Sequence, residues 1–187
     1  MMDWMEELQA ALRPPVQHEI VSASHDWSAT ERFLGRSVPQ DYKRFVDVYG
    51  DGSWHSFILF FLPGDEQERF ALPQEAVLQN RVYKEQKANW PDRYRMPLLP
   101  DEGSLMPFAR TENGDFIGWI VEQGEPDNWK IGVLAHEEGM AEQFDMNFAE
   151  FLTRLTKGEI KPDCFPASLD RARAEFHPAI PWNPEDG

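Results

Sequence analysis

Trp27-Ser28-Ala29-Thr30-Glu31-Arg32-Phe33-Leu34-Gly35-Arg36-Ser37-Val38-Pro39-Gln40-Asp41-Tyr42-Lys43-Arg44-Phe45-Val46-Asp47-Val48-Tyr49-Gly50-Asp51-Gly52 carries the punctuation of two consecutive helices and their exit into extended chain. Ser28 and Glu31 have the spacing of a capping box, in which a hydroxyl and a carboxylate each satisfy an amide left free in the first turn. A helix is therefore expected from about Ser28 to Leu34, with Gly35 at its C-terminal end. Pro39 opens the next helix, where a missing amide hydrogen costs nothing. Tyr42, Phe45, Val46 and Tyr49 recur at i, i+3, i+4 and i+7, an apolar stripe that faces a core. Gly50 and Gly52 end that helix and release the chain toward a strand.

Working outward, Asp3 to Leu12 reads as a short helix with Trp4, Leu8 and Leu12 on one face, stopped by Pro14-Pro15. Downstream, Trp54 to Leu62 is rich in aromatic and β-branched residues and reads as one strand ended by Pro63-Gly64. Asp65 to Glu68 is an acidic turn, and Phe70 to Leu72 a short strand. Gln74 to Trp90 has helical composition with a weak stripe of Ala76, Val77, Val82 and Tyr83, and Pro91 to Pro100 is an irregular crossing. The second half patterns as an antiparallel meander. Leu105–Thr111 and Asp115–Glu122 flank Asn113-Gly114, a pair whose tolerance of positive φ favours a hairpin. Gly124 to Asn128 turns the chain again into a strand from Trp129 to His136. A last helix follows Met146, with Asn147 as cap, Phe148, Phe151, Leu152 and Leu155 as its buried stripe, and Gly158 as its end. After Glu159 come Pro162, Pro166, Pro178, Pro181 and Pro184, so the remainder is expected to be an extended tail partly packed over the domain. The sum is one α+β domain over residues 1–187: N-terminal helices, an antiparallel or mixed twisted sheet of about five or six strands, a C-terminal helix and a Pro-rich tail over 159–187.

Charge narrows the class of partner. The chain carries 33 acidic residues against 18 basic ones, a formal charge of −15. Binding a phosphate backbone requires Lys and Arg to displace counterions, so nucleic acid is not expected as a direct partner; a basic macromolecule is. The excess is concentrated: Asp101 to Glu150 holds twelve acids against Arg110 and Lys130 alone. The longest apolar run, Phe57 to Leu62, is far short of the ~20 residues a membrane helix needs. The acids of Met1-Met2-Asp3-Trp4-Met5-Glu6-Glu7 sit where a signal peptide needs basic residues. A cytoplasmic protein without membrane contact is expected.

Order and residue types together resemble the SUKH superfamily, which includes fungal cell-wall synthesis regulators and many bacterial immunity proteins. Trp27-x-x-x-Glu31-x-x-Leu34-Gly35-x-x-Val38-Pro39-x-Asp41-Tyr42-Lys43-x-Phe45-Val46-x-x-Tyr49-Gly50-x-Gly52 is similar to its N-terminal signature. Leu105-x-Pro107-Phe108-Ala109-x-Thr111-x-Asn113-Gly114-Asp115 with Trp119 is similar to its central strand-turn-strand. Phe148-x-x-Phe151-Leu152-x-x-Leu155-x-x-Gly158 resembles its closing helix. The likeness spans residues 24–158. Val38 stands where the family usually has Leu, and both Gln74–Trp90 and the tail exceed what a minimal member needs. The motif residues Trp27, Glu31, Gly35, Pro39, Tyr42, Gly50, Gly52, Gly114 and Trp119 are expected to serve mainly structure. The resemblance implies binding without catalysis: bacterial members are typically encoded beside secreted toxins, many of them nucleases or deaminases, and protect the producing cell by occlusion. The alternative within the resemblance is a regulatory scaffold for a signalling or cell-wall enzyme.

A basic nuclease site would be met by acids that mimic phosphate. The candidate partner residues are Asp101, Glu102, Glu112 and Asp115, with Glu125 and Asp127 in the next turn and Trp129 or Trp90 as aromatic anchor. Catalytic patterns are sparse. His18, His25, His55, His136 and His177 are scattered, and no His-Glu-x-x-His or Gly-x-Ser-x-Gly occurs. His136-Glu137-Glu138 on a strand would point to alternate faces. Cys164, the only cysteine, excludes an internal disulfide and a thiolate zinc site. No metal and no cofactor are expected, and a carboxylate- or metal-dependent hydrolase is the remote alternative. The oligomeric state is not encoded in any of these features.

Overall fold

A computed structural model describes residues 3–16, 26–64, 70–167, 169 and 174–179. His18, His25, the 65–68 turn, Pro181 and Pro184 lie outside the described residues. Helices α1 (Trp4–Ala11), α2 (Trp27–Leu34) and α3 (Gln40–Tyr49) come first. Strands β1 (Gly52–Trp54) and β2 (Ile58–Phe60) precede α4 (Leu72–Asn89). Then follow β3 (Leu105–Thr111), β4 (Phe116–Ile120), β5 (Ile131–Leu134), β6 (Glu142–Phe144), α5 (Phe148–Thr156) and β7 (Phe176–Pro178). The fold is α+β, as expected. Its strands form one antiparallel sheet in the order β6-β5-β4-β3-β2-β1-β7.

Seven strands stand where five or six were expected, for two local reasons. The run Trp54–Leu62 is not one strand. His55 and Ser56 both take positive φ (53° and 51°), and the Phe57 amide donates to the Trp54 carbonyl at 2.9 Å, so the run folds into a hairpin. His is among the non-glycine residues enriched in that conformation, but an unbroken apolar run gives no warning of it. The additional strands β6 and β7 are three-residue edges, defined by the neighbour they pair with rather than by their own pattern. Leu72, expected in a strand, instead begins α4, and only a single bridge joins Leu62 to Ala71.

Two smaller corrections concern caps and turns. The cap of α2 is Asp26, whose carboxylate accepts the Ser28 amide at 2.9 Å. Glu31, freed from a capping box, accepts the Val38 amide at 2.8 Å and pairs with Lys43 at 2.6 Å, holding the α2–α3 corner. At Asn113-Gly114 only Gly114 has positive φ (89°). With Thr111 accepting the Gly114 amide and donating to the Asp115 carbonyl, the loop has three residues and a glycine in the left-handed position, a common alternative to the two-residue turn.

The sheet is covered unequally. On one face α1, α3 and α5 pack together over a core containing Trp54, Phe60, Phe108, Ile117, Trp119 and Ile131. On the other, Tyr83 of α4 with Tyr94 and Met96 of the crossing covers Leu105, Ile120 and Leu134. The β3–β4 register shifts between Pro107 and Ala109. This extra residue lets both Phe108 and Ala109 join the first core, as a bulge does by re-aiming one side chain. In α4 the expected stripe is rotated: Leu72, Glu75, Ala76, Gln79 and Tyr83 are buried, while Val77 and Val82 face outward.

Tyr42 sits at the middle of the first core. Its hydroxyl donates to the Phe61 carbonyl at 2.6 Å, with the Phe108 carbonyl at 3.0 Å. Its ring meets Trp27, Phe108, Trp119 and Phe148 at centroid distances of 4.8–6.0 Å. Tyr42→Phe removes the donor and keeps the ring. It is expected to lower unfolding free energy by about 1–3 kcal/mol, the cost of stranding a buried acceptor; an unchanged midpoint in urea denaturation would contradict this.

Within the tail, residues 176–178 form β7 and pair with β1. Phe176 packs against Tyr49 at 5.1 Å, and a Cβ on Gly52 would collide with the His177 carbonyl and the Phe176 ring. Gly52→Ala is therefore expected to unpair β7 from β1. Amide exchange at His177 and Ala179, whose backbone pairs with β1 and Asp51, should rise at least about tenfold while that of β3–β5 is retained, because local opening and global unfolding are separable.

Candidate protein-binding site

Strand register sorts the acidic residues of 101–150 onto two ends of the sheet. Leu105, Ile120, Ile131 and Phe144 align at one end, so the loops carrying Asp101, Glu102, Glu122, Glu125, Asp127 and Asp145 gather there. Glu112, Asp115, Glu137, Glu138 and Glu142 belong to the opposite end; Glu150 lies on α5 and pairs with Arg154 at 2.8 Å. At a rise of about 3.3 Å per residue, seven-residue β3 separates the ends by roughly 20 Å, more than two Debye lengths at physiological salt. The local excess seen in the sequence is therefore two electrostatic sites, not one face.

The first end is closely tied together. The Gly103 amide donates to the Val121 carbonyl at 2.7 Å and the Val121 amide to Ser104 at 2.9 Å. Gln123 Nε2 donates to Glu102 Oε2 at 2.9 Å, linking the 101–104 turn to the next one. Asp127 follows in a short 3-10 turn (Pro126–Asn128), and its Oδ1 accepts the Gln40 amide at 2.6 Å. It thus serves the N-terminus of α3, where Pro39 supplies no side-chain cap. Beneath it Asp41 accepts the Ala149 amide at 3.0 Å and so joins α3 to the start of α5. Burial raises the Asp41 carboxyl above its ordinary range, and the charge on Asp127 adds to that. The nearby cations are already engaged. Lys130 pairs with Glu122 at 3.5 Å. Arg36 donates to the Pro100 carbonyl at 2.8 Å and lies over the Trp129 ring at 5.6 Å. Asp101, Glu102, Glu125 and Asp127 all face solvent.

The sequence-derived set is thereby divided. Asp101, Glu102, Glu125 and Asp127 converge. Glu112 is exposed at the opposite end. Asp115, only 4% exposed, is an internal hydrogen-bonding residue: Thr111 Oγ1 donates to it at 2.8 Å and the His136 amide at 3.0 Å. Trp129, 3% exposed, lies under Arg36 with its indole N–H given to the Glu122 carbonyl at 2.8 Å. Both were expected at the surface, and both are drawn inward by polar partners that only the fold brings near. Trp90 is 55% exposed but caps α4 beside Arg93, which bonds the Glu137 carbonyl at the other end.

Sequence reading missed an apolar groove beside the first end. Phe33 and Leu34 of α2, Arg36 just after it, Ala76, Val77 and Asn80 of α4, Leu99-Pro100 and Met106 line about 250 Å³. The available signal was Phe33, an apolar residue off the buried face of α2; Val77 was expected on the α4 stripe and faces outward only because that stripe is rotated. At the opposite end β5 stops at Leu134, so His136-Glu137-Glu138 is a turn, not a strand. Among the described residues no group of three or more His, Cys, Asp and Glu converges as metal ligands, and no helix is long and apolar enough to cross a membrane.

A family model described as SMI1-KNR4 cell-wall, SUKH_6, matches residues 24–152. The chain belongs to the SUKH superfamily. No curated protein and no solved structure matches it. The match covers the N-terminal signature, the central hairpin and the start of α5, and leaves the tail outside.

In this SUKH chain the motif residues act within the fold. Trp27 lies edge-on to Tyr42 at 6.0 Å and Trp119 at 5.1 Å. Gly35 and Gly50 end α2 and α3 at positive φ. Gly52 admits β7, and Gly114 lies against His136. Pro39 is the cap residue of α3. None of them belongs to the acidic end or lines the groove.

Cys164 lies near Asp115 and Glu142 and lines an open hollow with Met140 and Glu138. Burial, then the charges of Asp115 and Glu142, push its thiol from 9.0 up to about 12. The thiolate is the reacting species, so at pH 8 native-state alkylation should be slower than in denaturant by roughly two to three orders of magnitude. Equal iodoacetamide labelling rates in native and denatured protein would contradict this.

Proposed function

We propose that this SUKH protein is a non-catalytic, cytoplasmic immunity protein that neutralises a basic toxin, of nuclease type, by covering its working surface. The observation that carries the reading is the grouping of Asp101, Glu102, Glu125 and Asp127 at one end of the sheet, with the adjacent cations Lys130 and Arg36 already engaged. A nuclease must attract phosphate, and a rigid array of carboxylates presents a similar potential to its site. Such an array raises the association rate at low salt; the lifetime of the complex depends on a few desolvated anchors beside it. The Glu102–Gln123 and Asp127–Gln40 bonds hold two of these acids in place before any partner arrives.

The cell-wall description of the matching family model favours one other reading, a scaffold for a cell-wall enzyme, which would use the same end. Co-purification separates the two: the immunity reading requires the protein encoded by the neighbouring gene to be retained and its toxicity suppressed. Reversing Glu102 and Glu125 to Lys together, while sparing Asp127 for its role at α3, is expected to slow association with that toxin about tenfold or more at low salt. The difference should shrink as salt is raised. Equal association rates for wild type and variant at every salt concentration would remove the acidic end from the mechanism.

A further inference from the structure

We infer that the groove between α2 and α4 is the anchor site for the same partner, receiving a large apolar side chain that is flanked in the partner's chain by Lys or Arg. The inference rests on the protein-binding reading above and adds to it the site that holds the complex together. Its lips are Phe33, 44% exposed, and Val77, 49% exposed; Ala76 and Met106 are buried beneath them. Among the described residues nothing covers these two side chains.

Size and polarity identify the occupant. The volume, about 250 Å³, falls below the roughly 300–1,000 Å³ usual for small-molecule sites and suits a single inserted side chain. The polar groups in its wall are mostly turned onto the protein itself, Arg36 Nε being the one buried there without a partner among the described residues. Asn80 Oδ1 accepts the Leu99 amide at 2.9 Å, Asn80 Nδ2 points to the Leu99 carbonyl at 3.5 Å, and Arg36 Nη2 donates to Pro100. With no convergent polar set to orient a metabolite, an apolar group is what the groove can bind well. Charge then fixes the direction of approach. Pro100 leads directly into Asp101 and Glu102 at one mouth, where two carboxylates outnumber the single charge of Arg36 bonded to Pro100, whereas Arg81 stands one turn beyond Val77 on α4 and Arg32 precedes Phe33. A cationic neighbour of the inserted side chain is favoured at the Pro100 mouth and opposed along the helices. The arrangement is that of an interface hot spot, an apolar centre with a charged rim.

The test uses the full chain and a random peptide library displayed on phage. Selected peptides are expected to share a large apolar residue next to Lys or Arg. Added to labelled wild-type protein, such a peptide should shift the resonances of Phe33, Val77, Asn80 and Leu99. Its affinity should fall about tenfold or more with Val77→Asp and with Phe33→Asp, both at exposed positions, and remain with Met140→Asp at the opposite end. Peptides of acidic consensus, shifts confined to another surface, the absence of any selected peptide, or affinities indifferent to Val77→Asp would each overturn the inference. Failure of the groove is distinguishable from failure of the acidic end. If toxin binding survives Val77→Asp but responds to reversal of Glu102 and Glu125, the anchor is wrong and the electrostatic reading stands.

Discussion

A single buried phenol governs how the layers of this protein meet. The Tyr42 hydroxyl has one proton to donate, and the 2.6 Å contact to the Phe61 carbonyl identifies where it goes. Phe61 in turn donates its amide to the Phe108 carbonyl at 2.8 Å, so α3, the end of β2 and the bulge in β3 share one hydrogen-bonded junction. Burial pushes the Tyr42 hydroxyl well above its ordinary pKa, which keeps that proton in place throughout the physiological range. Around the ring, Trp27, Phe45, Phe108, Trp119 and Phe148 bring α2, α3, β3, β4 and α5 into contact. Aromatic packing alone tolerates sliding; a directed hydrogen bond at its centre does not.

The neighbouring residue extends this junction to the surface. Asp41 reaches the first turn of α5, while the amide of Gln40, one residue earlier, is taken by Asp127 from the loop before β5. Three successive residues at the start of α3 therefore connect the core, the last helix and the acidic end. The position of Asp127 is thus set by the same helix start that places Tyr42. Acids on a freely moving loop would each lose conformational freedom on binding; acids held this way have little left to lose.

Elements whose boundaries are written in local chemistry were legible in the sequence. Helices α2, α3 and α5 follow their apolar periodicity and end at or beside Gly35, Gly50 and Gly158 with positive φ. What escaped is either a local choice that composition does not mark or a contact distant in sequence. His55-Ser56 turns without a glycine, β6 and β7 exist by virtue of a neighbouring strand, and Asp26 outcompetes Ser28 as a cap because the helix starts one residue earlier than the periodicity suggests. The site followed the same rule. Acid density between residues 101 and 150 was visible, but its division between two ends required the register of β3, β4 and β5. Asp115 reads as a turn acid until Thr111 and the His136 amide are placed beside it.

The charge distribution carries a cost that bears on function. Gathering Asp101, Glu102, Glu122, Glu125, Asp127 and Asp145 at one end raises mutual repulsion, which opposes the folded state. Two cations on the same surface relieve part of it: Lys130 pairs with Glu122, and Arg36, held by Trp129 and Pro100, keeps its charge there, so the carboxylates still outnumber them. At the opposite end some of the acids serve the fold: Asp115 holds a turn, Glu142 accepts the Asp163 amide at 2.8 Å, and Glu138 lies 3.9 Å from Arg93. Carboxylates face water at both ends, Glu112 and Glu137 here as well as Asp101 and Glu125 there; the first end adds an open apolar groove beside them. A surface that keeps repulsion it could relieve, next to apolar side chains it could bury, has both of its unfavourable terms reduced by one event, the arrival of a cationic protein surface with an apolar residue to insert.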